Sequence, residues 1–173
     1  DIVGVNVYNF SQAQMNADGS RTVLGPRDPR RKPLSEMLRY AWERYRRPLI
    51  IGETSGYEDK RAEWLRMVMQ ESLIALNDGI DLQGVCLLPC VDMPDWQSGK
   101  WAQIGMFDIH DEECNRIPCQ PYLDELRRWQ QILDQPENIE PDSFGGGLGR
   151  VQLAEVKRHA QAWERQKASV EGR

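Results

Sequence analysis

The chain lacks any apolar run near the roughly 18 residues of a membrane-crossing helix, and no signal-like segment opens it. Membrane insertion is therefore not expected. Histidine is scarce, with only His110 and His159. The four cysteines, Cys86, Cys90, Cys114 and Cys119, are not spaced as a zinc ribbon requires. Neither a metal nor any cofactor is expected. The cysteines read as free thiols in a reducing, cytoplasmic compartment, with Cys86 a small buried hydrophobe in an apolar run. No Gly-x-Gly-x-x-Gly follows a strand-like run, and Gly145 to Gly149 follow a loop, so the dinucleotide fingerprint is missing. An excess of positive charge is missing too. Lys plus Arg number 22 against 27 Asp plus Glu, a net charge of −5, which gives no reason to expect nucleic acid or an anionic membrane. The local basic excess between Arg21 and Arg47 reads as a solvated loop and helix face.

What is present is a soluble globular composition, 40% apolar and 28% charged over 173 residues, enough for one domain with a real core. Ile2 to Tyr8 is a short β-branched run, read as a strand. No Met precedes it, and a chain that begins inside a strand is expected to be a fragment of a longer protein. A polar loop follows to about Lys32. Leu34, Met37, Leu38, Ala41 and Tyr45 then recur at helical spacing behind Pro33, and Arg46-Arg47-Pro48 ends that helix. Leu49-Ile50-Ile51-Gly52-Glu53 is a second strand whose continuous apolar run suits a parallel sheet buried on both sides. A second helix is expected over 60–77, with Leu65, Met69, Leu73 and Leu76 as its stripe. A third strand follows over 82–89, then a long loop, then a helix over 120–133. Strands alternating with helices at these intervals predict βα units of a parallel sheet, with a spacing that suits three units of a (β/α)8 barrel. Residues 1–134 form that partial barrel, 135–149 read as a linker, and 150–173 as a polar C-terminal helix or tail.

Each strand ends in polar residues. Glu53 closes an otherwise apolar strand, where parallel α/β folds place their active face. A carboxylate there is costly to desolvate without a partner or a task. Asn6 and Tyr8 are two apart and share one side of their strand, so a Tyr hydroxyl can hold the carboxylate in its charged form. Beyond the third strand come Asp92, Asp95, Trp96 and Trp101. Carboxylates beside exposed aromatics suit a carbohydrate, whose hydroxyls donate to Asp and whose C–H faces lie on Trp.

These residues give the chain its resemblance to the C-terminal strands of clan A retaining glycoside hydrolases, most closely family 1 β-glucosidase-like proteins. Asn6 and Tyr8 resemble the Asn-x-Tyr of that family's sixth strand. Pro48 to Thr54 resembles the seventh strand with its nucleophile, and Asp78 to Gly84 the approach to the eighth. Asp92 to Trp96 falls where the family has Asp-Asn-Phe-Glu-Trp, and Ile104 to Asp108 resembles the segment after it. The chain departs from the pattern at Thr54-Ser55-Gly56, at Leu88-Pro89 in place of Trp-Ser, and at Asp95 in place of the sugar-binding Glu. The resemblance implies a retaining glycosidase with Glu53 as nucleophile, oriented by Tyr8. Asn6, Asp95 and Trp96 would contact the sugar, Asp92 would either do so too or stabilise its loop through hydrogen bonds, and Trp101 would line the entrance. The family's acid/base follows an Asn as Asn-Glu, and no such dipeptide occurs here. The expected partners are a carbohydrate substrate and the N-terminal half of the barrel. The competing expectation is a non-catalytic carbohydrate-binding or interaction module derived from such a barrel.

Overall fold

The computed structural model describes residues 1–25, 28–96, 98–109 and 112–134. The expected linker and C-terminal helix lie outside the described residues, as does His110.

The first strand, β1 (Val3–Val7), leads into an antiparallel hairpin, β2 (Ala13–Met15) and β3 (Arg21–Val23), within what the composition reads as a plain loop. Its turn is local chemistry: Asp18 Oδ1 accepts from the Ser20 N–H at 2.9 Å and the Ser20 hydroxyl at 2.6 Å, and Gly19 takes a φ of 81°. Next come α1 (Leu34–Tyr45), β4 (Leu49–Thr54), a 3-10 turn at Glu58–Lys60 and α2 (Arg61–Asn77). Pro33 sits just before the first helical residue. The Ser35 N–H and hydroxyl both donate to Glu71 Oε2, at 2.9 and 2.7 Å, so a carboxylate from α2 caps α1 where the helix dipole favours negative charge. The left-handed Arg46 (φ 47°) ends α1, and Gly79 (φ 80°) follows α2.

The third parallel strand, β5 (Leu82–Leu87), stops short of the expected Pro89; the Leu88–Pro89 peptide bond is cis. The expected long loop contains two small antiparallel pairs. These are β6 (Met93–Pro94) with β7 (Trp101–Ala102), and β8 (Phe107–Ile109) with β9 (Arg116–Pro118). The last element is α3 (Gln120–Asp134). The central sheet is parallel in the order β1-β4-β5.

The helices cover one face of this sheet. Leu34, Leu38 and Ala41 of α1 and Val68 and Ala75 of α2 pack on Val7, Leu49, Ile51 and Leu82. A second cluster, Leu65 and Leu73 with Tyr122 and Trp129, joins α2 to α3. Each fully buried side chain of this size contributes about 1.5–3 kcal/mol relative to exposure. The opposite face is not closed. Gly4 and Asn6 of β1 are exposed, and Ile50, Gly52 and Gln83 are only half-buried. The expectation of a sheet buried on both sides is thus corrected, because the described helices all pack on the Leu49/Ile51 side. Cys86 is corrected for the same reason. It alternates with Val85 and Leu87, which join the cores, and so stands exposed on the open face. Among the described residues no helix is long and apolar enough to cross a membrane.

Candidate functional site

Side chains alternate along a strand, so with Leu49 and Ile51 packed on the helices Glu53 would point there too. A bulge prevents this. Val5 pairs with Ile51 but Asn6 pairs with Glu53, leaving Gly52 as the extra residue of β4. On the other side, Ile51 pairs with Val85 and Thr54 with Leu87, the same extra step. The bulge reverses the alternation, turning Glu53 to the open face beside Asn6 and Tyr8 and sending Thr54 into the core. Glycine leaves room at the bulge for the neighbouring side chain: a Cβ on Gly52 would lie 3.0 Å from Asn6 Oδ1, which would have to give way by a few tenths of an ångström. Thr54, fully buried, accepts a hydrogen bond from Trp64 Nε1 at 2.8 Å.

The Tyr8 hydroxyl donates to Glu53 Oε2 at 3.1 Å. Burial, then the hydrogen bond to Glu53 and its charge, push the Tyr8 phenol up to about 12. The phenol therefore stays protonated and remains a donor to the carboxylate across the physiological range. Tyr8 stacks on Phe10, with ring centroids 5.2 Å apart and planes within 4°, and Phe10 meets the edge of Tyr57 at 6.3 Å. Burial and then the charge of Asp95 raise the Tyr57 phenol. Aromatic rings thus run from the Glu53 carboxylate towards the loop that carries Asp95.

That loop and the segment after β4 are joined by buried polar groups. The Ser55 hydroxyl donates to the Ile104 carbonyl at 2.5 Å. Asp92 Oδ1 accepts from the Ile104 and Gly105 N–H groups at 2.9 and 2.8 Å, and Oδ2 from the Ile109 N–H at 3.4 Å. Arg61 donates through Nε to the Glu58 carbonyl at 2.7 Å, and through Nη1 to the Gly105 carbonyl at 2.8 Å and Asp108 Oδ1 at 2.5 Å. Burial opposes the Arg61 charge, but the Asp108 hydrogen bond and the nearby negative groups outweigh it, and its pKa is raised. Neither Gly56 nor Gly105 can carry a side chain: a Cβ on Gly56 would come within 2.7 Å of Trp64 and one on Gly105 within 2.5 Å of the Asp92 nitrogen.

The sequence-derived site residues therefore divide. Asn6, Tyr8 and Glu53 come together on the open face at the carboxyl ends of β1 and β4. Asp95 and Trp96 sit at the tip of the β6–β7 hairpin, where Asp95 Oδ1 accepts from the Ser98 N–H and hydroxyl at 2.7 and 2.8 Å and Trp96 is 90% exposed. Trp101, 57% exposed, lies on the returning strand. Asp92 does not belong with the exposed group. It is 6% exposed and its carboxylate is turned inward on backbone N–H groups, so of its two expected roles the structure shows the loop-stabilising one and not the sugar contact. Arg61, Ser55 and Asp108 were missed, because an Arg at a helix start ordinarily reads as solvated. A cleft of about 240 Å³ between β1 and α1 is lined by Val5, Asn6, Val7, Ser11, Leu34, Met37 and Leu38, and Glu53 is not among them. Among the described residues no three His, Cys, Asp or Glu side chains converge as metal ligands would.

Open parallel α/β sheets bind ligands at the carboxyl ends of their strands, and here that end carries the tyrosine-held carboxylate of Glu53. Solved structures of similar fold include glycosidases. A β-glucosidase from Thermotoga maritima, in complex with glucoimidazole, is 18% identical with a TM-score of 0.59 over 75% of this chain and 34% of its own. The β-glycosidase BGL167 is 22% identical with a TM-score of 0.59 over 76% and 34%. Fpglu1 from Fervidobacterium pennivoraus is 18% identical with a TM-score of 0.59 over 84% and 38%. The chain spans about a third of the length of the structures it matches, and at these identities the likeness is one of fold. No family model and no curated protein matches the chain.

Proposed function

We propose that this chain supplies the last three βα units, strands six to eight, of a (β/α)8 barrel that hydrolyses β-glycosides with retention. Glu53 is its nucleophile. The observation that carries this reading is the Tyr8 hydroxyl on Glu53 Oε2 at 3.1 Å, on the uncovered face of the sheet at its carboxyl end. A carboxylate attacking an anomeric carbon must be ionised, accessible and fixed in direction. The Gly52 bulge gives access, and the Tyr8 hydrogen bond fixes the direction of the carboxylate. Asn6, Asp95 and Trp96 are the sugar contacts of this reading, and Trp101 flanks the entrance. Double displacement also needs an acid/base about 5–5.5 Å from the nucleophile. We assign it to the N-terminal half of the barrel, because the chain contains no Asn-Glu and matches only 34% of the length of the first glycosidase. The 173 residues alone are then inactive.

The absence of an Asn-Glu pair favours one other reading, a non-catalytic carbohydrate-binding module on the same framework. A panel of nitrophenyl glycosides offered to the full-length protein separates the two. Hydrolysis that falls roughly 10⁴-fold or more in Glu53→Gln supports the nucleophile. Equal rates in both proteins would remove Glu53 from the mechanism. No hydrolysis by either, with sugar binding retained, would favour the module.

A further inference from the structure

Glu53 lies on the strand segment that continues into Ser55, Gly56 and Arg61, whereas Asp95 and Trp96 lie on a separate loop after β5. Two segments so far apart in sequence need a physical coupling to present one substrate surface. The contacts between them are buried and polar. Ser55 holds the Ile104 carbonyl, Arg61 holds the Gly105 carbonyl and Asp108, and Asp92 holds the Ile104 and Gly105 N–H groups. The Glu58 N–H donates to the Gln103 carbonyl at 2.7 Å. The peptide groups of residues 103–105 are thus gripped from the β4 side by Ser55, Glu58 and Arg61, and from their own loop by Asp92. Ser55, Arg61 and Asp92 are each at least nine-tenths buried. Arg61 Nη1 stands 4.0 Å from Asp92 Oδ1 and 2.5 Å from Asp108 Oδ1, so one guanidinium faces both carboxylates that shape the loop. Gly56 and Gly105, which have no room for a Cβ, let each segment fold tightly on itself, Gly56 against Lys60 to Trp64 and Gly105 against Val91 and Asp92.

We infer that Arg61 is a positioning residue: with Ser55, Asp92 and Asp108 it locks the Asp95–Trp96 loop to the segment bearing Glu53, and so sets where the substrate lies relative to the nucleophile. This rests on the hydrolase reading above. Glu53 itself is held by Tyr8 and the Gly52 bulge, outside the lock. Loosening the lock therefore weakens substrate binding more than it slows the chemistry.

The test compares the full-length protein with its Arg61→Met, Arg61→Lys and Asp108→Asn variants. Two quantities are read: kcat and KM on a nitrophenyl glycoside, and amide hydrogen exchange. In Arg61→Met, KM rises on the order of tenfold with kcat within about twofold, the scale of one charged hydrogen bond. The Glu58, Ile104 and Gly105 amides exchange faster while those of β1 and α1 do not. Arg61→Lys recovers part of both effects, and Asp108→Asn shows both in weaker form should Arg61→Met fail to fold. Exchange that accelerates uniformly across the chain would reduce Arg61 to a general folding residue and overturn the inference. So would a fall in kcat at unchanged KM, or no change in either quantity. Should the wild type hydrolyse no glycoside, the hydrolase reading fails separately, and the exchange pattern alone decides whether the lock exists.

Discussion

The two faces of the central sheet carry the same strands and obey different rules. On the helix side Leu49 and Ile51 are fully buried, and every position is set by packing. On the other side Asn6, Tyr8 and Glu53 form a polar group that no helix in the described chain covers. One residue separates the regimes. Without the bulge at Gly52, Glu53 would be driven into the apolar layer between β4 and the helices, where an ionised carboxylate is costly. With it, the same chain presents the carboxylate outward and sends Thr54 inward. The comparison shows how a parallel strand can end in an outward-facing carboxylate without weakening the layer behind it.

Substitutions on the two faces should therefore fail in different assays. The largest expected effect is on activity: Glu53→Gln abolishes glycoside hydrolysis by the full-length protein and leaves its melting temperature nearly unchanged. Next is Ile51→Ala on the opposite face, which costs about 2–5 kcal/mol in denaturant unfolding through lost burial and an unfilled cavity. Gly52→Ala joins both classes. Its Cβ would lie 3.0 Å from Asn6 Oδ1, so the exposed Asn6 side chain moves aside at the low end of the roughly 1–3 kcal/mol of overpacking, and activity falls through the displaced Asn6. Each is checked by paired unfolding curves and rate measurements.

The smallest effect concerns Tyr8. Its folded pKa, near 12, lies above the ordinary 10.0. The folded state thus holds its proton where the unfolded state has lost it, and the stability this contributes is complete below pH 10. It is lost as pH rises from 10 to 12. Tyr8→Phe should remove that portion of the alkaline decline, and stability at neutral pH should fall by about 1 kcal/mol for one hydrogen bond. An unfolding series between pH 8 and 12 on both proteins reads the difference.

Much of the framework was legible before the structure. The β-branched run at 2–8, the apolar run at 49–53 and the three periodic helices are local patterns, and local patterns specify elements. Asn6, Tyr8 and Glu53 could be grouped because a period of two and the polarity at strand ends are visible in one dimension. The device that turns Glu53 was not read, although a glycine inside a strand is a known sign of a bulge. The β2–β3 hairpin was missed because its strands are three residues each, too short to show alternation. Cys86 read as buried because an apolar run does not say which of its faces has a partner. That Arg61 was not singled out has a deeper reason. A charged residue is buried only when a counter-charge and backbone partners converge on it, and those partners, Ile104 to Asp108, lie more than 40 residues from Arg61 in the chain.

Two-step retaining hydrolysis requires a covalent glycosyl-enzyme, and this is the most direct test of the open-face assignment. The full-length protein would be incubated with a fluorinated glycoside whose second step is slow, digested, and its peptides mapped by mass spectrometry. The expected result is one glycosyl adduct on Glu53, absent from Glu53→Gln. An adduct on another carboxylate, or steady hydrolysis with Glu53 unmodified, would contradict the assignment of Glu53 as the nucleophile.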